Sequence, residues 1–340
     1  MLARADTGDI VDKYEINHRF TRELILTAPF SAPRLSFLHA TLEVPPLEPA
    51  RLLLPGDLYI RVSTSLANST KNQTIGGVES DFDGVFHEWA ALDASLGVFS
   101  HLEISTRIVY SGWNEKYDKL TILNENGYPI VRYEALDYYG IGVSGRNSNV
   151  SKIVLRGKTP LFSSVDPTFD LAFDASVKFP IGRARNLTNA GTTDLNFSVL
   201  GSLFLSPVTF HVNAGIGVPL GKQNLFIEEA GVDLNYFFQA GVCANWQISD
   251  SLALAIQLEG NTTAFHDVPF LDYPAVTLFA GLRKFFGNLV VEGGVGRGLL
   301  HNGSYNWEYY LSVGYQFGQL GKHPNGVATR DAGYSIQRPF

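Results

Sequence analysis

Residues 193–220 read TDLNFSVLGSLFLSPVTFHVNAGIGVPL, and no other stretch constrains the fold as strongly. Before Ser206-Pro207, Leu195, Phe197, Val199, Gly201, Leu203 and Leu205 share one parity, while Asp194, Asn196, Ser198 and Ser202 share the other. After it, Val208, Phe210, Val212, Ala214, Ile216 and Val218 alternate with Thr209, His211, Asn213, Gly215 and Gly217. A period of two sustained over about a dozen residues describes an extended strand with one apolar and one polar face. Two such strands around a two-residue turn form a hairpin. Strands of water-soluble sheets usually run to about five or six residues, whereas a tilted bilayer crossing takes about 9–11. These strands have the second length.

The same unit recurs along the chain. Alternating stretches cover 57–69, 85–98, 102–111, 151–161, 169–179, 232–247, 252–263, 275–286, 289–299 and 307–317. With the hairpin they make about twelve strands, an even number, as single-chain bacterial barrels have. Tight turns at 99–101, 206–207, 248–251 and 287–288 alternate with longer polar connections at 70–84, 112–149, 181–192, 219–231, 264–274 and 300–306. Short turns on one side and long loops on the other predict an all-β, closed antiparallel transmembrane β-barrel over 57–317, with the short turns periplasmic. Residues 1–56 carry prolines 29, 33, 45, 46, 49 and 55. That density of Pro forbids a central strand or a continuous helix. This part is therefore expected to be an N-terminal extension or a plug in the barrel, and 318–340 a C-terminal tail.

Composition agrees and removes other classes. No apolar run is long enough for a transmembrane helix. Barrel strands show only alternate residues to lipid, so their mean hydropathy stays near zero, as the value of +0.03 does here. A net charge of −7 without a basic stripe argues against nucleic acid as a partner. Cys243 is the single cysteine, which excludes an internal disulfide and a multi-cysteine metal site. The first ten residues, MLARADTGDI, lack the apolar core of a signal peptide. A leader removed, or lying upstream of the given start, is expected for a protein of the bacterial outer membrane.

Charge cannot face lipid without a cost of about 2–4 kcal/mol at the midplane. Glu103, Arg107, Lys152, Arg156, Lys158, Asp170, Asp174, Lys178, Asp194, His211, Glu259, Arg283, Glu292 and Glu308 are therefore expected to line the lumen. Lys152, Arg156 and Lys158 face Asp170, Asp174 and Lys178 on the next strand. They either neutralise one another in a narrow interior or set up a transverse field that orders ions and polar solutes. Phe99, Trp246, Phe285, Phe286, Trp307 and Tyr309 near strand ends fit interfacial girdles. Outer-membrane lipid and lipopolysaccharide are the expected surroundings, with a small polar solute as a further partner.

The stretch FDLAFDASVKFPIGRARNLTNAGTTDLNFSVLGS contains a strand ending in Lys-φ-Pro-x-Gly, a polar loop and a Gly-x-x-Asp strand. With Pro55-Gly56 and HEWAALDASLGVFSHLEISTRIVYSG, it resembles an uncharacterised bacterial family of outer-membrane β-barrel proteins. The resemblance covers about 20–317 and implies an outer-membrane location and passive, porin-like transport. It brings no catalytic residue and no cofactor.

A narrow passive channel for small polar solutes or ions is the leading expectation. The alternatives are a non-conducting structural or adhesive barrel acting through its outer loops, and an outer-membrane lipid-modifying enzyme. Catalysis has little to stand on. His211 faces the lumen beside Asn213 with no Ser at triad-like spacing. His266-Asp267 lies in a loop and is a weak metal candidate. Gly-rich 293–300 lacks the Lys-Ser/Thr and the helix of a phosphate loop, so its glycines are expected to serve sheet bending or close packing. No catalytic residue and no metal site is expected.

Overall fold

The computed structural model describes residues 24–30, 42–75, 78–115, 119–123, 129–131, 145–164, 168–181, 190–221, 234–264, 274–300 and 306–317. Its strands are β1 (Leu58–Ile75), β2 (Val78–Phe99), β3 (Leu102–Glu115), β4 (Lys119–Leu123), β5 (Pro129–Val131), β6 (Gly145–Ser163) and β7 (Phe169–Pro180). They continue as β8 (Thr193–Leu205), β9 (Val208–Leu220), β10 (Phe237–Ser249), β11 (Leu252–Asn261), β12 (Ala275–Phe286), β13 (Leu289–Gly298) and β14 (Trp307–Phe317). Twelve of them close an antiparallel barrel. Each pairs with its neighbour in the chain, β3 steps across to β6, and β14 returns to β1 with Leu58 opposite Phe317. Closure satisfies every backbone edge, the condition on which a sheet can cross lipid.

Alternation decides which face goes where. Burial along β14 switches at every residue, so Glu308, Tyr310, Ser312 and Gln316 turn in while Trp307, Tyr309, Leu311, Val313 and Tyr315 turn out. Around the barrel the outward set is apolar and exposed, including Val62, Leu92, Ile104, Leu155, Val199, Val212, Val242, Ile256 and Leu282. A belt of this extent exceeds what water-facing surfaces leave open. Its solvent is the hydrocarbon of a bilayer. Phe99, Trp246 and Phe286 lie exposed at the short-turn end, and Trp307 and Tyr309 at the other, as interfacial aromatics do. Phe285 is a correction to the expected girdle. It shares the parity of Arg283, and it is buried in the lumen with Ile25, Leu26, Ala253 and Val290.

The connection at 70–84 is a second correction. There β1 and β2 continue as a paired ribbon from Ser69 opposite Val85 to Ile75 opposite Val78. Polar residues occupy both parities of that stretch, so the apolar alternation ends where the ribbon leaves lipid, while backbone pairing needs no apolar face and goes on. In the longest connection β4 pairs with β2 at Val78–Asp81, and β5 pairs with β4. These two short strands lie outside the closed barrel.

The core lies in the lumen. Its central cluster joins Phe30, Leu47, Cys243, Ala255, Phe279 and Tyr310. The Gly-rich strand makes room for it: a Cβ on Gly294 would stand 2.6 Å from the Phe279 ring, and one on Gly296 2.7 Å. Phe30 and Leu47 come from the N-terminal segment, whose described residues contribute no strand to the barrel.

Candidate functional site

Polar side chains from β3 and from β6 to β12 converge on that segment, which meets the wall twice. The first pass is 24–30, one helical turn (24–27) followed by irregular chain. The second is 42–53. Its prolines 45, 46 and 49 keep it from pairing as a strand and remove backbone donors that a polar interior would otherwise have to satisfy. Gly56, at φ 85°, turns the chain out of the lumen toward β1. Gly97 faces this turn, and a Cβ there would meet the Leu54 carbonyl at 2.1 Å.

The first pass is held by its carbonyl oxygens. Arg283 Nη1 donates to the carbonyls of Ile25 at 2.7 Å, Leu26 at 3.0 Å and Ala28 at 2.6 Å, and Nη2 donates to Pro29 at 3.0 Å. A cation facing the last carbonyls of a helical turn satisfies acceptors that the turn itself leaves open. Arg283 Nε meanwhile donates to Glu292 at 2.7 Å, so the guanidinium is fully engaged. Thr27 O accepts from Asn245 Nδ2 and lies 2.7 Å from His211 Nε2. Facing a carbonyl, Nε2 must carry the proton. Nδ1 is then the acceptor for Ser202 Oγ at 2.8 Å. Gln257 and Phe30 exchange two hydrogen bonds, Phe30 N–H to Oε1 and Nε2–H to the Phe30 carbonyl.

The second pass is held by charge. Glu43 lies 2.8 Å from Lys152 and 4.0 Å from Arg107, while its backbone N–H donates to Asp194 at 2.8 Å. Glu48 accepts from Arg156 at 2.7 Å, and Arg156 Nε lies 3.0 Å from Asp174. Arg51 pairs with Asp170 at 2.7 Å and stacks over Phe204. Lys158 pairs with Glu103 at 3.1 Å and reaches the carbonyls of Pro49 and Arg51. The N–H groups of Ala50 and Leu53 donate to Ser202 and Glu103. Burial opposes ionisation of Glu48, but Arg156 and then Lys158, Arg61 and Arg107 outweigh it and hold the carboxyl below its ordinary value.

Burial is what the structure gives for the residues named from the sequence. Glu103, Lys152, Lys158, Asp170, Asp174, Lys178, Asp194, His211, Glu259, Arg283, Glu292 and Glu308 are buried, and Arg107 and Arg156 nearly so. Lys178 and Asp194 pair at 2.8 Å, Glu259 accepts from Gln257, and Glu308 accepts from Ser65 at 2.7 Å. The facing sets on β6 and β7 meet at Arg156–Asp174, whereas Lys152, Lys158 and Asp170 find partners on the segment. His211 does have a serine beside it, contrary to the expectation from spacing. Ser202 comes from the other strand of the hairpin, where the register sets it opposite His211. That register, read outward from the 206–207 turn, would have found it. Glu43, Glu48 and Arg51 carried no signal, since irregular Pro-rich chain has no periodicity to read. His266-Asp267 lies outside the described residues. Among the described residues no cluster of His, Cys, Asp and Glu could hold a metal.

No known family profile matches the chain, and neither does any curated protein sequence. Solved structures do. The chain is similar to the COG4313 outer membrane channel from Pseudomonas putida F1 (TM-score 0.61, 13% identity), over 79% of this chain and 98% of that one. It also aligns with the KdgM porin (TM-score 0.45, 8% identity, 76% and 99% covered). A third match is the translocator domain of the autotransporter NalP from Neisseria meningitidis (TM-score 0.43, 12% identity, 76% and 88% covered). At these identities the first likeness shows the fold, that of an outer-membrane β-barrel.

Proposed function

We propose that this chain is a passive outer-membrane channel for small polar solutes or ions, closed in the state described here by its own N-terminal segment. One observation carries the reading. Two stretches of the segment, 24–30 and 42–53, occupy the polar lumen without joining the sheet as a strand, so they can leave without opening it. Wall groups support it: Asn196 and Gln316 are buried, yet neither of their side-chain amide atoms makes a hydrogen bond to protein. A packed core pays heavily for such groups, while a lumen that admits water satisfies them. Beside Pro45 and Pro46 a narrow cleft already remains, lined by Arg156, Asp174, Ser198, Asn213 and Gln239. The exposed apolar belt would sit in outer-membrane lipid and lipopolysaccharide. An enzyme reading finds little support among the described residues, because the Ser202–His211 contact ends on the Thr27 carbonyl where a triad would place a carboxylate.

The test is planar-bilayer conductance of the full chain beside its Glu43→Gln/Glu48→Gln variant, both checked for the heat-modifiable mobility of a closed barrel. Rare openings in the first and sustained current in the second are expected. Silence from both folded proteins would overturn the channel reading.

A further inference from the structure

Among the ion pairs of the described residues, the cations of β1, β3 and β6 meet their full set of carboxylates only with help from the segment. Arg61 and Arg107 both contact Asp93, the first at 3.2 Å. Lys158 has Glu103 and Arg156 has Asp174. Those are three carboxylates on strands. Glu43 and Glu48 of the segment supply two more, against Lys152, Arg107 and Arg156. Five cations, Arg61, Arg107, Lys152, Arg156 and Lys158, thus meet five carboxylates only when the segment is in place. Withdrawing it leaves this side of the lumen with an excess of positive charge. It also uncovers Asp170, the partner of Arg51, nearer the short-turn end.

Spacing turns the excess into a track. Lys152 and Arg156 lie four residues apart on the inner face of β6, about 13 Å along the strand. Arg107, opposite Val154 on β3, falls between them. Arg107 and Arg156 present planar forks that match the two oxygens of a carboxylate, and Lys152 adds a mobile ammonium. The narrow cleft beside Pro45 and Pro46 reaches Arg156, at one end of the track.

We infer that Arg107, Lys152 and Arg156 form a binding track for carboxylate-bearing solutes, and that Glu43 and Glu48 occupy it as internal stand-ins for those carboxylates. The inference rests on the channel reading for its biological use and deepens it by naming the solute class. It makes polycarboxylates competitors of the segment. A solute that occupies the track displaces the second pass, and a neutral solute of equal size does not.

Cys243 supplies the readout, because it is buried in one cluster with Phe30 and Leu47 and is the single thiol of the chain. The wild-type barrel in detergent is exposed to a water-soluble maleimide in propane-1,2,3-tricarboxylate, or in chloride at matched ionic strength, with sucrose as the neutral control. Labelling about ten-fold faster in the tricarboxylate than in chloride is expected, as a competitor that shifts the seated population would produce. Equal rates in tricarboxylate and chloride would overturn the inference. Calorimetry of the same probe with Glu43→Gln/Glu48→Gln, where the track is vacated, should show tighter binding than wild type, and Lys152→Gln in that background should weaken it. Identical affinity in all three would also overturn it. The channel reading fails separately: a barrel that binds the tricarboxylate yet passes no current keeps the track and loses the pore. A conducting barrel indifferent to carboxylates does the reverse.

Discussion

The two passes of the N-terminal segment occupy one lumen but are held by opposite chemistry. Residues 24–30 read LILTAPF and bring no charge. They offer carbonyl oxygens to Arg283, Asn245, His211 and Gln257, and a phenyl ring that meets Phe279 at 5.5 Å and Tyr310 at 6.4 Å between centroids. Residues 42–53 bring Glu43, Glu48 and Arg51, each aimed at a wall group of opposite charge. Arg283 keeps its own carboxylate, Glu292, whichever way the first pass moves. Lys152 and Arg156 lose carboxylates when the second pass leaves. On the proposed reading the first pass is the anchor and the second the gate: contacts between neutral backbone and a satisfied guanidinium respond weakly to salt and solute, whereas contacts that complete a charge balance respond to both.

The largest effect should come from breaking the anchor. Arg283→Met removes the donor to four carbonyls and strands Glu292, a class of change that costs about 3–5 kcal/mol when the charge stays buried. Opening the lumen hydrates Glu292, so the variant should label rapidly at Cys243 while still running as a heat-modifiable barrel. Slow labelling would mean that the first pass is held by its apolar contacts alone. Next in size is Glu43→Gln/Glu48→Gln, which should free the second pass and leave the first seated. Its labelling should be fast and insensitive to salt, while wild-type labelling rises with salt, since ions screen the charges that opening exposes.

Acid should act more gently through Glu48. Its folded-state pKa is depressed, so its contribution is present above the unfolded value and is lost as pH falls through the folded one. Seating of the second pass should therefore persist through the ordinary carboxylate range and weaken below it. Dithiodipyridine, which reacts with thiols in acid, can follow this at Cys243. Glu48→Gln should flatten the profile, and an unchanged profile would remove Glu48 from the gate. The smallest effect belongs to Ser202→Ala, which deletes the acceptor for Ala50 N–H and the donor to His211. It should loosen both passes by about 1 kcal/mol, the usual worth of such bonds, seen as a modest rise in labelling.

Much of this barrel was legible because lipid enforces alternation. Leu195, Phe197 and Val199 could face only one solvent, and Asp194, Asn196 and Ser198 only the other. That rule placed the inward charges without any knowledge of partners. It also explains the errors. Phe285 looked interfacial by chemistry, but parity with Arg283 sends it inward, and parity is the stronger constraint. The ribbon over Ser69–Ile75 lost its alternation on leaving lipid, so a paired strand read as loop. Ser202 and His211 are neighbours through hairpin register and distant in spacing. The segment was legible as Pro-rich chain that could not be a strand, hence as an extension or a plug, but not in its path. Its contacts with Lys152, Arg156 and Arg283 depend on a path through the lumen that no local pattern encodes.

Hydrogen exchange of the folded barrel, read separately over 24–30, 42–53 and the strands, shows whether the segment detaches while the barrel stays closed. Three rates are expected: strands slowest, the first pass intermediate, and the second pass fastest yet slower than free chain and accelerated by salt or tricarboxylate. If both passes exchange together with the strands, the segment is part of the barrel's cooperative core. If both exchange as free chain, it does not fill the lumen. Either result contradicts a pore closed by its own detachable segment.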